Sequence, residues 1–168
     1  DDYPLKLHVF NRARLIKNSK NRIPYGVDLI QKYKRESWIV FTENKKQAKE
    51  FNKIINTKGF KSALYNTDLD STERLENLNK FKKADLNVLV TCTALDEGFD
   101  MPEADGALIL SASSSKRQRV QRMGRVLRIT ENKPNALIVT VYSSKTEFDK
   151  LMEEAKRYHK EGVPVSWK

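Results

Sequence analysis

Hydrophobic and polar positions follow two textures along this chain. Four short runs are continuously apolar or β-branched: "SWIVF" (37–41), "NVLVTC" (87–92), "GALIL" (106–110) and "ALIVTVY" (136–142). A strand with one face in water alternates every second residue, so unbroken runs predict strands covered on both faces, the usual state in a parallel sheet. A less regular run, "KSALYN" (61–66), is a fifth candidate. Between the runs, apolar residues recur at helical spacing. "KKQAKEFNKIINTKG" (45–59) puts Ala48, Phe51, Ile54 and Ile55 on one stripe and ends at Gly59, a residue suited to the left-handed turn after a helix. "DSTERLENLNKFKK" (70–83) opens on Asp70 or Ser71 as N-cap with Glu73 close behind, then shows Leu75, Leu78 and Phe81. "SSSKRQRVQRMGRVLR" (113–128) and "KTEFDKLMEEAKRYHK" (145–160) predict two more helices. "FNRARLIKNSKNRIPYGVDLIQKYK" (10–34) predicts helix, break and helix, with the break near Pro24.

Strands alternating with helices imply crossover connections and a mostly parallel sheet between two helical layers, a three-layer α/β domain. No internal repeat or low-complexity linker interrupts the 168 residues, a length suited to one domain with a real core. No apolar run reaches the length needed to cross a membrane, and no membrane partner is expected. The opening "DDYPLKLHVF" lacks both a secretory layout and an initiator methionine, as expected of an excised piece.

Charge narrows the partners. Lys+Arg 32 against Asp+Glu 22 gives a net charge of +10, which favours a polyanion, most often nucleic acid, although a lysine-rich solubilising surface gives the same sum. The single cysteine, Cys92, rules out an internal disulfide and fits an intracellular, reducing compartment. Together with two histidines it offers no zinc cluster, so no metal ligands are assigned within this chain.

Two loops expected at the carboxyl ends of strands, where ligands bind in such sheets, carry unusual chemistry. "TALDEGFDMPEAD" (93–105) offers Asp96, Glu97, Gly98, Asp100, Glu103 and Asp105. Gly98 permits close backbone approach, and Asp100 is suited to accept hydrogen bonds from a ribose hydroxyl. The same loop would also serve as a plain polar turn. In "QRVQRMGRVLR" (118–128), Arg119, Arg122, Arg125 and Arg128 recur at steps of three around Gly124. Guanidinium groups bind phosphate bidentately and stay charged at any working pH, so an anion site is preferred over a solvated basic face. No G-x-x-x-x-G-K-[ST] occurs, so the loop that cradles nucleotide phosphates is absent. No Ser/His/Asp or Cys/His arrangement stands out either. What is present is half of a nucleotide site.

These residues match a known family. "IVFTEN", "VLVTCTALDEGFDMPEAD" and "QRVQRMGRVLR" resemble motifs IV, V and VI, in that order, of the C-terminal RecA-like lobe of superfamily 2 helicases, over about residues 10 to 142. With "NSKNRI" upstream, the wording is most similar to the XPB-type branch of DNA helicases and translocases, some of whose relatives act in DNA repair. The resemblance implies a RecA-like fold and ATP with Mg2+ as cofactor, held mainly by an N-terminal RecA-like lobe. It implies DNA as a largely sequence-independent partner and ATP hydrolysis only in a two-lobe protein, this chain alone being inactive. It implies a division into interlobe linker helices (1–35), the lobe itself (36–143), and a C-terminal helix and tail (144–168).

It also implies residue roles. Arg125 and Arg128 take the places of the motif VI arginines that reach the γ-phosphate, with Arg128 as the arginine finger, while Arg119 and Arg122 are structural or interlobe residues. Gln121, Gly98 and Asp100 take nucleotide-binding places. Thr42, Asn44, Thr91, Cys92 and Thr93 stand where relatives touch the nucleic-acid backbone, as do Asn66 and Thr67 in "YNTDLD", which lacks the histidine of many relatives. Cys92 replaces a serine or threonine, and a thiol is a weak donor, so a backbone amide or Thr93 is expected to take over its contact. Two other readings share the fold: a non-catalytic nucleic-acid-binding or partner-docking module, and an RNA helicase lobe.

Overall fold

The sheet grows outward from its most apolar strand. The computed structural model describes residues 20–92, 103–111, 137–160 and 164–167. In chain order these form α1 (Arg22–Tyr33), β1 (Trp38–Phe41), α2 (Lys45–Thr57), β2 (Ser62–Leu64), α3 (Ser71–Lys82), β3 (Val88–Thr91), β4 (Gly106–Ile109), β5 (Leu137–Thr140) and α4 (Lys145–Lys160). The strands pair in the order β2-β3-β1-β4-β5, every pair parallel. Each predicted strand is present within its run, and the irregular fifth is the short edge strand β2.

The unbroken apolar runs are explained by helices on both faces. Trp38, Val40, Val88, Val90 and Leu108 point to one side, where Ile23, Val27 and Ile30 of α1 and Ala48, Phe51 and Ile55 of α2 close the core. Ile39, Phe41, Leu89, Ala107 and Ile109 point to the other, against Leu78 and Phe81 of α3. Consecutive residues of one strand therefore serve different cores, as the two-residue period of a strand requires. Gly26 lets α1 lie directly on β4, because a Cβ there would stand 2.5 Å from Leu110 Cδ1. Gly59 has φ +86° just past α2, as its position after the stripe predicts.

The second of the two helices expected around Pro24 begins at Arg22, and Pro24 lies in its first turn, where the missing N–H has no intrahelical carbonyl to lose. Two other expectations change. Leu75 is 57% exposed, although it shares a stripe with Leu78 and Phe81. Steps of three rotate about 60° each around a helix, so the sheet covers the last two and leaves the first outside. Asp105 does not join the loop acids at the carboxyl ends. It precedes β4 at the opposite edge, where its Oδ2 accepts from Ser37 N (3.2 Å) and Ser37 Oγ (3.3 Å), while Asp105 N donates to Ser37 Oγ (3.1 Å). Reciprocal bonds of this kind join the starts of β1 and β4.

Near the end of the chain, Tyr142, Phe148 of α4 and Trp167 form a row of rings with centroids 5.3 and 5.2 Å apart. Trp167 thus rests edge-on against Phe148 while staying 41% exposed. No described helix is long and apolar enough to cross a membrane.

Candidate functional site

Because all five strands run the same way, their carboxyl ends meet along one edge. On β1 the chain leaves through Thr42, Glu43 and Asn44 into α2. Asn44 is the N-cap: its Oδ1 accepts from Gln47 N at 2.9 Å, and Gln47 Oε1 accepts from Glu43 N at 3.0 Å. This exchange resembles a capping box, in which the cap and the third helical residue satisfy each other's turn. Thr42 is 2% exposed, and its hydroxyl donates toward the carbonyls of Thr91 and Asn44, each at 3.2 Å.

Next to it, β3 ends at Thr91 and Cys92. Thr91 is buried at 2% exposure and takes the Thr42 amide on its carbonyl at 2.9 Å. Cys92 has a free thiol, half-buried. Its backbone N–H donates to Asn66 Oδ1 at 3.0 Å. That amide is therefore engaged within the protein.

The outermost strand, β2, ends in the turn carrying Asn66 and Thr67. Asn66 is 1% exposed; one end of its amide holds Cys92, and the other, Nδ2, is buried with no hydrogen-bond partner among the described residues. Thr67 is exposed. Asp68 follows and pairs with Lys45 and, at 3.4 Å, with Lys49, so the first turn of α2 is bound to this turn. The hydrogen bond from Lys45 is the main reason the Asp68 carboxyl titrates below its ordinary range.

Thr42, Asn44, Asn66, Thr67, Thr91 and Cys92 are thus neighbours on the carboxyl edge formed by β1, β3 and β2. Thr93, Gly98, Asp100, Gln121, Arg125 and Arg128, and with them Arg119 and Arg122, lie outside the described residues. At the other end of the same edge, Ser111 stands at the exit of β4 toward the arginine segment; its hydroxyl is buried with no partner among the described residues. No group of three His, Cys, Asp or Glu among the described residues could hold a metal ion.

Sequence reasoning missed one buried charge on this edge. Arg22, 2% exposed at the start of α1, donates to the carbonyls of Leu110 (2.9 Å) and Val141 (3.0 Å), to Ser143 Oγ (2.7 Å) and to Glu147 Oε2 (2.5 Å). Its acceptors lie 88 to 125 residues away in sequence, so no local pattern announced it.

Comparisons with known proteins agree with this architecture. Residues 21–130 match the helicase conserved C-terminal domain. The DNA 3'-5' translocase XPB2 of Sulfurisphaera tokodaii is 36% identical over 129 residues, covering 77% of this chain and 28% of the relative. The ATP-dependent rRNA helicase RRP3 of Scheffersomyces stipitis is 25% identical over 118 residues, 70% of this chain and 24% of the relative. The chain thus spans about a quarter of the length of these relatives. Among solved structures, the C-terminal domain of the DEAD-box protein Dbp5 superposes with a TM-score of 0.70 at 20% identity, covering 85% of this chain and 81% of that one. With its parallel sheet, its crowded carboxyl edge and this domain match, the chain belongs to the helicase conserved C-terminal domain family, the second RecA-like lobe of superfamily 2 helicases.

Proposed function

We propose that this chain is the second motor lobe of an ATP-dependent DNA helicase or translocase. The observation that carries the reading is the gathering of Thr42, Asn44, Asn66, Thr67, Thr91 and Cys92 on one stretch of the carboxyl edge, the side where parallel sheets receive ligands. The arginine segment follows β4 and Ser111 in sequence. Similarity to a DNA translocase at 36% identity favours DNA.

In this reading the edge of β1, β3 and β2 follows the nucleic-acid backbone. Thr67 is exposed and free to face a phosphate oxygen, while Thr42 and Asn66 are buried and hold the turns that present their neighbours. Such contacts are phosphate-dominated, salt-sensitive and indifferent to base sequence. ATP with Mg2+, gripped mainly by the first lobe, supplies the hydrolysable phosphoanhydride. Arg125 and Arg128 of this chain would neutralise charge on the γ-phosphate, with Gly98, Asp100 and Gln121 lining the nucleotide. An arginine finger contributes about 10³–10⁵ in rate.

The test is Arg128→Ala in the polypeptide that joins this segment to its first lobe. Hydrolysis should fall by that order while ATP binding is retained; unchanged turnover overturns the assignment. The rRNA helicase relative supports a second reading, an RNA helicase lobe. Matched DNA and RNA strands decide between them, since backbone recognition separates the two at the 2′-hydroxyl. A nucleic-acid affinity that ignores ATP would instead support a non-catalytic binding module.

A further inference from the structure

We propose that one edge of the sheet is closed from within: Asn56 and Asn77 occupy the backbone groups of β2 that a further strand would need, and so keep a second copy of this chain from pairing there. β2 is an edge strand, bonded to β3 alone. Such a strand turns alternate backbone donors and acceptors away from its neighbour, and a bare edge invites another chain to continue the sheet. Lys61 O accepts from Val88 N at 3.2 Å and Tyr65 N donates to Val90 O at 2.8 Å, so the residues of β2 in alternate register, Ser62 and Leu64, face outward.

The outward groups are not open. Asn56, in the last turn of α2, accepts from Ser62 N at 3.2 Å on its Oδ1 and donates to Ser62 O at 3.4 Å from its Nδ2. Its amide thus meets one residue at both N–H and C=O, as an adjoining strand does across a hydrogen-bonded pair. The 3.4 Å contact is long, and shorter ones hold the side chain in place. Nδ2 also donates to Asn52 O at 2.8 Å and to Ser62 Oγ at 2.7 Å, and Ser62 Oγ donates in turn to Asn52 Oδ1 at 2.7 Å. From α3, Asn77 Nδ2 donates to Leu64 O at 3.1 Å. Since α2 and α3 cover opposite faces, helices of both layers reach round one edge. Lys58 and Lys61, exposed at its near end, add charge that repels a like edge.

A second copy is the occupant that this edge fits. Two β2 strands laid antiparallel about a two-fold axis through Ala63 would set Ser62 against the partner subunit's Leu64, and Leu64 against the partner subunit's Ser62, each a hydrogen-bonded pair. Ser62 N, Ser62 O and Leu64 O would all be required, and these are the groups that the two asparagines hold. The segment is otherwise suited to pairing: Ser62, Ala63 and Leu64 are only half-buried, and no proline stands among them. The two amides are the obstacle.

The experiment measures self-association of this chain by sedimentation velocity over a range of concentrations. Alanine is a better helix former than asparagine, so Asn56→Ala combined with Asn77→Ala keeps α2 and α3 while opening the edge. The dimer dissociation constant should fall at least about tenfold below the parent's, the worth of roughly one net hydrogen bond. Adding Ser62→Pro removes the outward N–H without touching the ladder to β3, and should return the constant to within about twofold of the parent's. A folded double variant that associates no more tightly than the parent overturns the proposal. So does association that Ser62→Pro leaves in place, which locates it on another surface. A parent already dimeric, whose dimer Ser62→Pro dissolves, overturns it as well. If the double variant does not fold, Asn56→Ala alone is read in the same way: it frees both Ser62 groups and should tighten the constant at least about threefold.

Discussion

Replacing Asn66 by alanine tests the central contact of the carboxyl edge. The Asn66 side chain is 1% exposed, and its Oδ1 is the acceptor for the Cys92 N–H at 3.0 Å. Truncation leaves that amide without the acceptor, at a cost of about 1–3 kcal/mol. An opposing effect comes from Nδ2, which is already buried without a partner among the described residues, so its removal relieves part of a desolvation penalty. The balance is a loss of about 1–2 kcal/mol, or about 3–6 °C in Tm for a domain of this size. Urea unfolding of this chain, followed by Trp38 fluorescence, measures it, since Trp38 is fully buried in the sheet. Thr67→Ala in the adjacent exposed position is the control and should stay within about 0.5 kcal/mol. Asn66→Asp sharpens the argument. It keeps an acceptor for Cys92 but puts a carboxyl at a position only 1% exposed, where burial holds its pKa above the usual range. The native state then binds more protons than the unfolded state, so stability must fall as pH rises from about 4 toward 7, relative to the parent. An Asn66→Ala protein as stable as the parent, or an Asn66→Asp protein without that slope, refutes the account of this turn.

Other expectations concern the frame around it. The Asp68 carboxyl is held low by Lys45, so its contribution to stability is present above the ordinary carboxylate range and is lost as pH falls through its folded value. Asp68→Asn should therefore flatten the acid limb of the pH–stability profile below about pH 4, measured by thermal melts in low salt. Phe51 is fully buried between α2 and the sheet, and Phe51→Ala should cost about 3–5 kcal/mol in chemical denaturation, whereas Leu75→Ala, on the outward side of α3, should change stability by less than about 0.5 kcal/mol. Asp70 caps α3 by accepting from Glu73 N at 2.8 Å, and Asp70→Ala should lose about 1 kcal/mol by the same assay.

Which parts of the fold were legible follows from the range of the interactions that make them. Runs such as "NVLVTC" announce strands buried on both faces because every residue must be apolar at once, and the stripe of Ala48, Phe51 and Ile55 needs only local periodicity. Helix α4 runs from Lys145 to Lys160, the span read from its pattern. Asp70 and Gly59 were legible because capping chemistry is local. Asn66 could be placed on the site through family resemblance, but its bond to Cys92 spans 26 residues and leaves no trace in spacing. Arg22 shows the same blindness more severely. Its partners are carbonyls and a carboxylate up to 125 residues away, and a backbone acceptor has no sequence signature. Asp105 misled for the opposite reason: it is close in sequence to the loop acids, yet β4 begins immediately after it and carries it to the other edge.

The strand order has a consequence for how this chain is made. β1 and β2 are consecutive in sequence but are not neighbours in the sheet; β1 pairs with β3 and β4, and β2 pairs only with β3. The unit β1–α2–β2 therefore has no ladder of its own, and its apolar strand emerges from the ribosome with both edges open. Pairing begins only when Val88–Thr91 arrives and inserts between the two. Contacts this distant in sequence slow folding and lengthen the time for which unpaired edges are exposed. Helix α2, with its cap and amphipathic stripe, is the element able to shelter β1 in the interval, which gives its stability a role during synthesis as well as in the finished lobe.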